Sequence, residues 1–166
     1  MTGLDFLSPG LARAGGGFEP VQRSPLEHGL RGAPPGVRDL SAIGKLDVRG
    51  VLDALEVGDA ELVAVTADRW LVLCPPDDVQ RLLQQLGARA RSVADATSAL
   101  AGLAVTGERL LRRLTDLDLD ALPATGAFAH VPATVLRDGD EFRIFFPQEY
   151  ADHVAEVVLD AAAGLA

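Results

Sequence analysis

The chain has 166 residues, 48% of them hydrophobic but only 5% aromatic, so a sizeable core must be filled by aliphatic side chains. Its 15 Lys and Arg face 24 Asp and Glu, a net charge of −9; it lacks the basic stripe that nucleic-acid phosphates or an anionic membrane surface require. The single cysteine, Cys74, permits no intrachain disulfide, no run approaches the ~18 apolar residues of a membrane span, and no basic stretch followed by a long apolar run marks a signal peptide, so a cytoplasmic protein is expected.

Residues 1–37 are set apart by Gly15-Gly16-Gly17, Pro9, Pro20, Pro25 and the pair Pro34-Pro35, which break helices and strands alike. Phe6, Leu7, Phe18, Val21 and Leu26 lie within this stretch and need a surface to cover them. It reads as an extended Gly/Pro-rich arm that folds over its own domain or lies on a partner protein, with those five residues as the candidate partner interface.

From residue 38 to 166 the pattern is regular. Ala42 to Arg49 reads as a strand and Val51 to Leu55 as a short helix after Gly50. The runs Glu61 to Ala67 and Arg69 to Pro75 read as a hairpin around Asp68. In the second run Trp70, Val72 and Cys74 share one face and Leu71 and Leu73 the other; with both faces apolar, this strand is expected to be central. Val79, Leu82, Leu83 and Leu86 form a helical stripe, with Asp77 and Asp78 in its first turn and Gly87 as its stop. Further on, Leu103 to Thr106 reads as a strand, and Leu110, Leu111 and Leu114 as one face of a short helix. Ala127 to Arg137 and Glu141 to Pro147 read as a second hairpin closed by Asp138-Gly139. Tyr150, Val154, Val157 and Val158 mark the last helix.

Two short stretches echo each other: "DLSAIGKLDVRG" from Asp39 and "DATSALAGLAVTG" from Asp95. Each begins Asp-x-Ser/Thr and closes on a glycine (Gly50, Gly107), and each introduces strand, short helix, hairpin and helix. The expectation is an α+β fold of duplicated βαββα halves, 39–88 and 95–163, around a shared core. Asp39 and Asp95 then serve to fix the loop entering each strand, by accepting bonds from nearby backbone N–H groups. Close packing of strand on helix accounts for Gly50 and Gly107 in this reading.

The residues carry no recognisable catalytic site. His28, His130 and His153 are scattered without metal-ligand spacing. Asp116, Asp118 and Asp120 resemble the start of a calcium loop, but alanine stands at 121 and 127 where that loop needs Gly and Glu; Leu117 and Leu119 are expected to point inward and the acids to water. No phosphate-cradling glycine motif is present, Cys74 reads as an inert strand thiol, and Ser24, Ser41, Ser92 and Ser98 have no evident His partner.

With those residues in view, "DLSAIGKLDVRGVLDAL" resembles the opening of the folate-binding aminomethyltransferase (T-protein) superfamily, through Asp39, Ser41, Gly44, Lys45, Val48, Gly50, Asp53 and Ala54. The stretches "VAVTADRWLVLCPPDDVQRLLQQL" and "DATSALAGLAVTGERLLRRLTDLDLDALP" resemble the following elements of that family. "RSPLEHGL", Arg23 to Leu30, is similar to the N-terminal segment of one branch, the gamma subunit of heterotetrameric sarcosine oxidase. Full aminomethyltransferases are longer and add a C-terminal barrel. Their folate-serving aspartate pair has no match in register here, Asp59 and Glu61 being separated by Ala60, so the folate site is not carried over.

The resemblance implies an aminomethyltransferase folate-binding-domain-like unit serving as a non-catalytic gamma subunit of a sarcosine oxidase-like complex. Such a complex oxidatively demethylates sarcosine or a related secondary amine. It also implies alpha, beta and delta partner subunits, alpha most directly. FAD, FMN, NAD, tetrahydrofolate and zinc would then lie in the partners, with no catalytic, cofactor or metal residue in this chain. The alternative is a stand-alone folate-binding, aminomethyltransferase-like protein.

Overall fold

The computed structural model describes residues 23–50 and 57–165. The helix expected over Val51–Leu55, and Phe6, Leu7, Phe18 and Val21 of the arm, lie outside the described residues. The strands are β1 (Val37–Asp39), β2 (Gly44–Arg49), β3 (Glu61–Thr66), β4 (Arg69–Cys74), β5 (Ser92–Asp95), β6 (Leu100–Thr106), β7 (Ala124–Phe128), β8 (Val131–Asp138) and β9 (Glu141–Pro147). The α-helices are α1 (Val79–Gly87), α2 (Glu108–Leu111) and α3 (Ala151–Ala163).

The strands form two antiparallel sheets, a five-stranded one ordered β1-β6-β9-β8-β7 and a four-stranded one ordered β3-β4-β2-β5. The α+β expectation holds, and β4 is central, paired continuously with β2 and, with a register shift between Ala64 and Thr66, with β3. Its two apolar faces serve two cores. Val72 and Cys74 join Leu46, Val48 and the α1 residues Val79, Leu82 and Leu86, with Trp70 packed alongside. Leu71 and Leu73 join Val63 against Leu136 and Phe145 of the other sheet. On the far side of the five-stranded sheet, Phe142, Ile144 and Phe146 pack with Leu110, Leu111, Val154 and Val158. Each such burial contributes a gross ~1.5–3 kcal/mol. The layers therefore run helix, sheet, sheet, helix.

Among the described residues each half supplies a strand, a hairpin and a helix in that order (β2, β3–β4, α1; β6, β8–β9, α3), but the strands that lead into each half change sides. β1 precedes β2 along the chain yet pairs with β6 of the other sheet, and β5 precedes β6 yet pairs with β2. Neither strand was expected from the sequence. The run beginning at Ala127 is likewise not one strand: it breaks at Ala129 and His130, both left-handed (φ 48° and 66°), and the chain doubles back from β7 into β8.

Residues 23–37, the described part of the arm, are a series of turns folded over the chain's own core, the first of its two readings, with Gly29 so close to α3 that an added Cβ would lie 2.5 Å from the Ala155 Cβ. Two further expectations are corrected. Leu26 is 0% exposed and belongs to the chain's own core, so its side chain has no surface to give a partner. Gly50 and Gly107 adopt positive φ of 128° and 96°, and a Cβ on Gly107 would meet open space. The backbone conformation, not strand-on-helix packing, selects glycine at 107. Leu119 is buried and Leu117 partly so, while Asp116, Asp118 and Asp120 are exposed.

Candidate functional site

The most constrained polar cluster lies where the two leading strands cross. Asp39 Oδ1 accepts the Ser41 N–H at 2.8 Å and Asp95 Oδ1 accepts the Thr97 N–H at 2.9 Å. Each aspartate thus closes the tight turn that lets the chain pass from one sheet to the other. The two hydroxyls then reach across. Ser41 Oγ accepts the Gly102 N–H at 3.2 Å and donates to the Gly102 carbonyl at 3.4 Å. Thr97 Oγ1 accepts the Lys45 N–H at 3.0 Å and donates to the Lys45 carbonyl at 3.4 Å. Lys45 and Gly102 each stand five residues before the closing glycine of their half, so the two contacts are equivalent under the repeat.

The equivalence stops at the side chains. Lys45 is the only lysine in the sequence, and it is 0% exposed. Its Nζ donates to the carbonyls of Ser41 at 2.8 Å and Ile43 at 2.7 Å. Burial lowers its pKa from 10.5 to about 8, against the opposing pull of the Asp39 and Asp95 carboxylates and of Cys74. At Gly102 no side chain fits, because a Cβ would lie 2.9 Å from the Leu40 carbonyl oxygen.

This cluster holds the chain rather than exposing chemistry. The Lys45 amine is sealed from solvent, both hydroxyls are engaged, and the Cys74 thiol is buried with its pKa raised by that burial. Nothing here combines a free nucleophile with a base. Among the described residues no group of three or more His, Cys, Asp or Glu could hold a metal ion. No helix among them is long and apolar enough to cross a membrane.

Two clefts flank the crossover. One, of about 500 Å³, is walled by Arg23, Ser41, Gln80, Asp95, Ser98 and Gln148. The other, of about 320 Å³, opens between the sheets, lined by Asp47, Leu71, Thr134 and Phe145, with Arg69 bonded to Asp47 at 2.8 and 3.2 Å. The sheets are also tied by Arg143 of β9, which grips both oxygens of Glu61 in β3 at 2.7 and 2.9 Å. That bond raises the Arg143 pKa. Glu61 is thereby engaged in an ion pair between layers.

Of the candidate partner-interface residues, Phe6, Leu7, Phe18 and Val21 fall outside the described residues and Leu26 is in the core. Sequence reasoning placed Asp39 and Asp95 correctly as loop-fixing residues. It noticed Lys45 only as a motif position, and it had no local signal for the Arg143–Glu61 bridge.

No family model and no curated protein matches the chain. Among solved structures, the fold is similar to a chain of heterotetrameric sarcosine oxidase from Corynebacterium sp. U-96, with TM-score 0.71 and 18% identity over 86% of this chain and 95% of that one. It is also similar to glycine cleavage system aminomethyltransferase T from Bartonella henselae, with TM-score 0.54 and 18% identity over 75% of this chain. The chain spans only 45% of that enzyme. A structure of aspartokinase alpha and beta subunits gives TM-score 0.52 at 13% identity, covering 79% of this chain and 99% of that one. At these identities the likeness establishes the fold: an α+β unit of the kind found in a sarcosine oxidase chain and in part of aminomethyltransferase T.

Proposed function

We propose that the chain is a non-catalytic, gamma-type subunit of a heterotetrameric sarcosine oxidase-like complex, packed against the large alpha subunit. The complex oxidatively demethylates sarcosine or a related secondary amine in the cytoplasm. The supporting observation is the extent of the structural match: it takes in 95% of the sarcosine oxidase chain but only 45% of the aminomethyltransferase. That balance favours a subunit like the first over a part of an enzyme like the second. The engaged hydroxyls and buried amine of the crossover suit an architectural role. FAD, FMN, NAD, tetrahydrofolate and zinc then belong to the alpha, beta and delta partners.

The test is sarcosine-dependent oxygen uptake by material isolated from the native host through a tag on this chain. The assembled material should consume oxygen and the separated chain should not. Uptake by the chain alone would contradict the reading. A stand-alone folate-binding protein is the second reading, favoured by the likeness to aminomethyltransferase T; calorimetric binding of tetrahydrofolate to the isolated chain would support it, and no heat at millimolar ligand would remove it.

A further inference from the structure

We draw no further inference here: the strongest candidate, the cleft of about 320 Å³ between the two sheets beside the Arg69–Asp47 pair, is lined by Leu71 and Phe145 of the chain's own core, and nothing in the structure shows what covers it.

Discussion

Ser41 and Gly102 are bound through both main-chain groups of the glycine, whose N–H donates to the hydroxyl at 3.2 Å and whose carbonyl accepts from it at 3.4 Å. The pair joins the loop after β1 to a strand of the other half, and Thr97 makes the matching contact with Lys45. Removing either hydroxyl takes the partner from one main-chain N–H, that of Gly102 or of Lys45, while each carbonyl keeps a main-chain donor at 2.8 Å, Leu40 for Gly102 and Ala96 for Lys45. Ser41→Ala and Thr97→Val should each lower stability by ~1–3 kcal/mol, read by urea unfolding. Changes of less than ~0.5 kcal/mol in both, the size typical of a surface substitution, would show that the crossover is not held this way.

Lys45 gives the fold a defined pH dependence. Its pKa is about 8 when folded, against 10.5 ordinarily. Between those values the unfolded chain binds more protons, so stability rises with pH across that window and is lower by a constant amount below it. The full span corresponds to about 3 kcal/mol. Cys74, whose pKa is raised by burial, acts in the opposite sense. The readout is therefore the difference between wild type and Lys45→Met in melting experiments from pH 7 to 11. The variant should lose the rising component; parallel profiles would contradict the account.

The same burial makes a labelling prediction. Lys45 carries the only lysine amine in the chain, so an amine-reactive reagent should modify folded protein at the N-terminus alone. Lys45 should react only after denaturation. Rapid modification of Lys45 in folded protein, seen by peptide mapping, would place its amine at the surface.

The bridge between the sheets is two-pronged. Glu61→Gln should cost about 1 kcal/mol, since the pair is only partly buried, with side-chain exposures of 18% for Arg143 and 45% for Glu61. Arg143→Lys should not restore the lost stability, because an ammonium cannot grip both oxygens. A Lys variant as stable as wild type in urea would show that charge alone matters there.

Leu26 tests whether the N-terminal segment packs on the chain's own core. As a fully buried core residue, Leu26→Ala should destabilise the isolated chain by ~2–5 kcal/mol. An interface residue would leave the isolated chain unaffected and weaken only the assembly.

The elements that could be read from sequence are those with a strong local pattern. β4 showed two apolar faces because both are buried, and α1 showed its stripe because Val79, Leu82 and Leu86 all enter one core. β1 and β5 escaped because most of their side chains are exposed and no alternation marks them. Their pairing across halves is a long-range choice. The turn at Ala129 and His130 escaped because it contains no glycine or asparagine; tertiary bonds hold it instead, from the Ala129 N–H to the Leu114 carbonyl at 2.7 Å and between His153 Nε2 and the Ala129 carbonyl at 3.0 Å. At the crossover, the Asp-x-Ser/Thr turns were legible as local chemistry. The burial of Lys45 was not, because it depends on the second half closing over the first.

The most direct measurement of the central claim is the absorbance spectrum of material purified through a tag on this chain from its native host. The subunit reading predicts a yellow eluate with flavin bands and a large second polypeptide. A colourless eluate containing this chain alone would contradict it.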